Sequence, residues 1–336
     1  MQNDLDRVPS SPPLIRPVTD GHRPIWSVMI PVYNSIPYLQ ETLNAVLQQA
    51  LPENEMQITV VDDGSNDGDV KGLVQTLGKG RIEYISNPGN LGSVRTFERC
   101  INAARGEWVH LLHADDLVED GYYSAIRDLF RQWPEAGAAF CRFKYINEER
   151  NTLYVQPGEA AQAGILDNWL YKISVRNRIQ FAAITVKRVV YEQLGSFYGL
   201  TYGEDWEMWV RIAAHYPVAY TPEVLAEYRK HEESITGKKF FTGDFLDDLL
   251  QAMKMIQHHL PEKMRPAVMS ESKKFYSMYG MRTAQQLWQS THDKKSAKNV
   301  AIKSLKMHQS FPGWWEALKL FTKFILQSPA TKVAAL

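Results

Sequence analysis

The chain reads as an α/β protein, a doubly wound and mainly parallel sheet with a helical C-terminal extension, and three observations predict it. Short apolar runs alternate with stretches of helical spacing from Trp26 to about Phe143. Two of those runs stop abruptly on acids, one at Asp62-Asp63 and one at His113-Ala114-Asp115-Asp116. Beyond Thr242 the pattern is helical, broken at Pro261 and Pro312. Strands separated by helices need crossover connections, which favours parallel neighbours. A near-continuous apolar run is what a strand covered on both faces requires.

Residues 1–24 are polar and carry Pro9, Pro12, Pro13, Pro17 and Pro24, a composition expected of a flexible arm. Trp26 to Val32 then predicts a buried strand, Tyr38 to Ala50 a helix, and Gln57 to Val61 a second strand. A helix from Asp69 to Leu77, a strand from Ile82 to Ser86 and a helix from Ser93 to Ala104 follow. Trp108 to His113 is the next strand, Tyr122 to Trp133 a helix, and Ala136 to Phe143 closes the alternation. The second half is less regular. Ile179 to Val186 predicts a strand, Gly203 to His215 a helix opened by acids, and Val218 to Tyr228 an extended segment.

Composition narrows the class. The 336 residues hold 38 Lys plus Arg and 38 Asp plus Glu, so no global field points to nucleic acid as a partner. Only Cys100 and Cys141 are present, which excludes a disulfide framework or a cysteine-built metal site and fits a reducing compartment. The amino terminus lacks a secretory pattern, and nowhere do about 18 uninterrupted apolar residues occur. The expectation is a cytoplasmic protein, soluble or peripheral to the inner face of the membrane.

Three acidic clusters carry the chemistry: Asp62-Asp63-Gly64-Ser65, Asp115-Asp116 and Glu204-Asp205. The first two follow strands of one sheet, which brings them to the edge where ligands of open α/β sheets gather. Taken alone, Asp115 and Asp116 fit a helix cap as well as a cation site, Asp62-Asp63-Gly64 fits a turn, and acids open helices routinely. After the first strand comes Pro31-Val32-Tyr33-Asn34-Ser35, which is neither a dinucleotide fingerprint nor a P-loop. Asn87-Pro88-Gly89-Asn90-Leu91-Gly92-Ser93 followed by Arg95 is either an exposed loop or a phosphate-facing helix start.

The segments WSVMIPVYN (26–34), VVDDGS (60–65), NPGNLGSVR (87–95), GEWVHLLHADD (106–116) and GEDWEMWVR (203–211) come in the order and spacing of the family 2 glycosyltransferases, which the chain resembles over about residues 26–235. The resemblance implies a GT-A fold and an inverting enzyme that uses a nucleoside-diphosphate sugar, a UDP-sugar first, and a divalent metal, Mn2+ or Mg2+. After the arm expected at 1–24, a GT-A domain is expected at 25–240, with its nucleotide half at about 25–118 and its acceptor half at about 119–240. A helical extension follows at 241–336. Position by position, the resemblance assigns Pro31, Tyr33 and Asp63 to the base and ribose, Arg95 to the nucleotide, and Asp115 and Asp116 to the metal. Asp205 becomes the catalytic base, Glu204, Trp206 and Arg211 lie on the acceptor side, and His231 falls near the diphosphate. His113 departs from the pattern, since many members carry an Asp there. Facing the metal it would be a neutral imidazole ligand that favours manganese, whereas a strand-end His is commonly a structural hydrogen-bonder.

In that reading, a sugar moves to a hydroxyl of a glycan or lipid-linked acceptor in polysaccharide or cell-envelope synthesis. The position of Asp205 in the first turn of a helix is expected to keep it ionised near neutral pH. Aromatics in Tyr198 to Tyr202 and in Arg176 to Phe181 are candidates to stack on sugar faces. A binding module without catalysis has no need of a base, and a nucleotidyltransferase would want a glycine-rich phosphate loop after the first strand. The amphipathic stretch Phe311 to Leu326 has two readings, contact with a membrane or packing on the preceding helices.

Overall fold

The computed structural model describes residues 7–19, 21, 23–231 and 235–326. The chain divides into two compact units, unit 1 of Met1–Ile173 and Asn177–His231, and unit 2 of Ser174–Arg176 and Glu232–Leu336.

Unit 1 opens with β1 (Trp26–Val32), α1 (Ile36–Leu47), β2 (Met56–Asp62), α2 (Val70–Gly78), β3 (Glu83–Ser86), α3 (Ser93–Ala103) and β4 (Trp108–Leu111). β1 and β2 are buried at nearly every residue, as an apolar run flanked by helices on both faces should be. Next come β5 (Leu117–Val118), α4 (Tyr122–Gln132), β6 (Ala138–Ile146), β7 (Thr152–Val155), β8 (Gly164–Ile165) and α5 (Trp169–Val175). A 3-10 turn at Phe181–Ala183 leads into β9 (Ile184–Lys187), α6 (Arg188–Leu194), α7 (Glu204–His215) and β10 (Val218–Arg229). The expected strand at 179–186 is thus a turn followed by a short strand.

The sheet has the order β3-β2-β1-β4-β9-β6-β10-β5, with β7 beside β6 and β8 beside β10. β1, β2, β3 and β4 are mutually parallel, and so are β6 and β10. β9 runs antiparallel to both β4 and β6, so β6 and β10 point the same way as β4. One edge therefore collects the carboxyl ends of β1, β2, β4, β6 and β10, and with them Tyr33, Asp63, His113 to Asp116 and Arg229 to His231.

Residues 7–19 lie along unit 1, where the composition leads one to expect a flexible arm. Pro13 and Pro9 carbonyls accept from Ser196 N and Gly199 N, Arg188 donates to the Arg16 carbonyl, and Ile15 is buried. A proline-rich chain loses little entropy when laid down extended, and its free carbonyls found donors on the 195–199 loop.

Unit 2 holds α8 (Ile235–Thr242), α9 (Asp244–Ile256), α10 (Arg265–Thr291), α11 (Lys294–Met307) and α12 (Phe311–Leu326). α10, α11 and α12 pack on one another. No helix of the described residues is long and apolar enough to cross a membrane.

Candidate active site

At the end of β1, Asn34 takes a left-handed backbone (φ 50°), and its N–H and side chain bond Ser65 Oγ and Asn66 N. This ties the ends of β1 and β2 together and leaves the Tyr33 ring 48% exposed. Pro31 sits just before it in the strand.

Asp63 turns inward rather than to solvent. Its carboxylate accepts from Asn87 Nδ2 (2.6 Å), Leu91 N (2.8 Å) and Gly92 N (3.0 Å), so it shapes the 87–92 loop from below. Gly64, at φ 76°, makes this approach feasible, because a Cβ there would stand 3.0 Å from Asn90 N. The loop delivers the chain to α3, where Arg95 pairs with Glu98 at 2.8 Å. From the arm, Arg7 donates to the Asn90 side chain.

The third strand end carries the metal-type cluster. Ligand atoms of His113, Asp115 and Asp116 all lie within 4.8 Å of one another. Both His113 Nε2 and Asp116 Oδ2 are buried without a hydrogen-bond partner. Two orphaned polar atoms within one small acidic cluster fit a divalent cation, and a neutral imidazole beside carboxylates is a donor set suited to manganese more than to magnesium. His113 stacks on Phe97 (centroids 5.2 Å, 16°) and meets Phe181 at a tilt (4.4 Å, 32°), the three rings forming one cluster. Burial lowers its pKa against the opposing pull of Asp115, which keeps the ring neutral.

The carboxylates are tuned apart. Burial drives Asp116 well above the usual carboxyl range, with Asp115 beside it adding to the rise. Burial pushes Asp115 up as well, but the hydrogen bond from His231 leads the opposing causes and holds it low. His231 Nε2 stands 2.9 Å from Asp115 Oδ2. Two like charges this close favour one proton between them unless a cation replaces it.

Arg229 builds the cluster's floor, and its role had no sequence signal beyond a position near a strand end. Its backbone N–H donates to Asp116 Oδ1 (2.9 Å) and its Nε to the Asp115 carbonyl (3.0 Å). The rest of the guanidinium reaches the carbonyls of Asn147 and Glu148 and the Glu41 carboxylate, while stacking over Tyr38 at 4.8 Å. From α1, the Thr42 hydroxyl lies within 2.9 Å of the Ala114 and Asp116 carbonyls. Asp115 and Asp116 are therefore not a helix cap, since α4 begins only at Tyr122.

Asp205 opens α7 after Gly203, whose φ is 87°. Its carboxylate accepts from Asn177 Nδ2 (2.6 Å) and Trp206 N (2.7 Å). Burial pushes its pKa up to about 6 against these two hydrogen bonds. The helix start alone had suggested an ordinary acid; desolvation outweighs the dipole here, leaving a group poised to exchange a proton near neutrality.

A single segment joins this acid to the cluster. Asn177 touches Asp205, Gln180 Nε2 reaches Tyr145 OH (3.5 Å), and Phe181 packs on His113. Residues 177 and 181 are at most about 14 Å apart along extended chain. Lys230, next to His231, lies with its ammonium 4.5 Å over the Tyr145 ring.

Three expected acceptor-side residues are interior instead. Trp206 is wholly buried, its indole bonded to the Ile173 carbonyl (2.6 Å). Arg211 is buried against the Leu194 and Ser196 carbonyls and Glu207. Glu204 is buried at the helix start. In a helix of period 3.6 their positions fall on faces that pack, and polarity at a helix start could not reveal that. Phe181, a candidate sugar platform, is likewise core.

Comparison with known proteins agrees with this arrangement. Residues 27–194, half of the chain, match the sequence pattern described as Glycosyl transferase family 2. An uncharacterised glycosyltransferase of Rickettsia typhi is 24% identical over 219 residues, covering 64% of this chain and 67% of its own. One from Haemophilus influenzae is 24% identical over 64% of this chain and 72% of its own. Among solved structures, S. aureus TarS 1-349 in complex with UDP-GlcNAc superposes with a TM-score of 0.61 at 16% identity, over 84% of this chain and 81% of that one. The mannosyltransferase PcManGT from Pyrobaculum calidifontis, in complex with GDP-Man and Mn2+, gives 0.57 at 17% identity over 95% and 84%. At these identities the two structures establish the shared GT-A architecture.

Proposed function

The chain belongs to glycosyl transferase family 2, and from that premise we propose that it moves a sugar from a nucleoside-diphosphate sugar to an acceptor hydroxyl by a single inverting displacement. The observation that carries the reading is the pairing of a poised carboxyl at Asp205 with the His113, Asp115 and Asp116 cluster at one sheet edge. That UDP-GlcNAc, UDP and GDP-Man are bound by neighbours of the same fold supports a nucleotide sugar as donor.

Tyr33 offers the base an exposed ring to stack on, beside Pro31. Asp63 acts through the 87–92 loop, presenting its backbone and Arg95 to the ribose and phosphates. Asp115, Asp116 and His113 would hold the cation, which when bound takes up charge growing on the diphosphate oxygens. His231 fixes the Asp115 carboxylate, and Lys230 adds a positive charge next to it. Asp205, oriented by Asn177 and the Trp206 N–H, removes the proton from the attacking hydroxyl as the new bond forms. The acceptor hydroxyl is taken to be that of a glycan or a lipid-linked sugar, as the family resemblance implies.

The stereochemistry is testable before the acceptor is known. With water as the acceptor, proton NMR during hydrolysis of UDP-GlcNAc in diamagnetic Mg2+ should record the β-anomer of the released sugar first. Initial release of the α-anomer contradicts the single displacement.

A further inference from the structure

We infer that unit 2 docks on an anionic lipid surface through the solvent face of α12. This helix carries two apolar stripes. Gly313, Ala317, Leu320 and Phe324, spaced four, three and four residues apart, are buried, and Phe324 meets Trp288 edge-on at 4.8 Å. Phe311, Trp314, Trp315, Leu318, Ile325 and Leu326 fall on the other side, and each is more than half exposed. A helix that only packs needs one stripe. Six large apolar side chains share one face of the 16 residues, broken by exposed Thr322, which is more than scattered exposure.

Charge decides what covers the patch. The whole chain is neutral, yet residues 232–336 hold 16 Lys and Arg against 9 Asp and Glu. α11 and α12, which pack together, carry Lys294, Lys295, Lys298, Lys306, Lys319 and Lys323 against Glu316, Lys303 being paired with Asp244 and Asp247. A second copy would bring the same positive surface against itself, which opposes self-association. An anionic bilayer is complementary to it. Lys319 runs beside the aromatic face, its ammonium 5.6 Å from the Trp315 ring centroid and 2.7 Å from Glu316 Oε1. Such a stem lies along apolar surface while its head stays at the water boundary. Adjacent Trp314 and Trp315 suit the same boundary. At 16 residues the helix spans about 24 Å, too short to cross, so it lies in the interface plane.

The test is flotation of the full chain with vesicles of phosphatidylcholine alone and of phosphatidylcholine mixed with phosphatidylglycerol. The wild-type chain should float with the mixed vesicles at low salt and much less with the neutral ones. The triple variant Trp314→Gln, Trp315→Gln, Leu318→Gln should lose at least about tenfold in partitioning, with its melting curve and nucleotide-sugar thermal shift, both measured without vesicles, unchanged. A wild-type chain that stays below both vesicle types overturns the inference, as does a triple variant that floats like wild type. A dimer that the triple variant dissolves, without flotation, reassigns the face to a second copy.

Discussion

Asp205 couples the chemistry to pH with opposite signs for stability and rate. Its folded pKa, about 6, lies above the ordinary 3.8, so the stability it contributes is fully present below the ordinary value and is lost as pH rises through about 6. As the proposed base Asp205 would act in its ionised form, so the rate should fall tenfold per pH unit below about 6. Asp205→Asn should cut turnover on the order of a thousandfold while leaving the melting temperature at neutral pH unchanged or higher, because a buried charge is removed. A melt that drops sharply together with activity would point to a structural role. Arg229 is the residue that sequence could not reveal. An arginine in Tyr228-Arg229-Lys230-His231 reads as a strand-end cation, and only its bonds to Asp115, Asp116 and Glu41 expose its use. Replacing it by Met leaves the Asp115, Asn147 and Glu148 carbonyls without a side-chain donor, so it should destabilise the fold by about 1–3 kcal/mol and weaken manganese binding, measured by chemical denaturation and calorimetry. Unchanged metal affinity would mean that the cluster does not depend on it.

At the scale of elements, the alternation of strand and helix was legible because fully covered strands and amphipathic helices leave distinct periods in sequence. β1, α1, β2, α2, β3, α3 and β4 lie within a few residues of where those periods place them. The antiparallel direction of β9 was not legible, since a four-residue strand after a turn carries no direction. The 177–181 segment was visible as a lead-in to that strand and a candidate sugar platform, not as the link it makes between Asp205 and the cluster. The Asp62-Asp63 pair was legible as a site feature, but its geometry was not. Asp63 points at the 87–92 loop, a contact between residues far apart in sequence. Asp63→Asn leaves one side-chain acceptor for three donors, so a loss of about 1–3 kcal/mol and a raised KM for the nucleotide sugar are expected. Urea denaturation and initial rates at varied donor check both. An unchanged KM with lost stability would separate the loop from donor binding.

For the whole molecule, five short motifs in order identified the family, and the wide spacing of the first four closes up because they lie at the ends of the parallel strands β1, β2, β3 and β4 on one sheet edge. Overall neutrality hid the basic carboxyl-terminal third, since a total charge averages over units with separate surfaces. The residues that resist sequence reading, Arg229, Asn177 and Phe181, all act on a site residue rather than on a ligand. The central claim is that the cluster at the end of β4 holds a cation required for donor binding while Asp205 acts after binding. Titration calorimetry of UDP-GlcNAc with and without Mn2+, on wild type, Asp116→Asn and Asp205→Asn, tests it most directly. The account predicts manganese-dependent binding by wild type and Asp205→Asn, and its loss in Asp116→Asn. Binding that survives both EDTA and Asp116→Asn would contradict it.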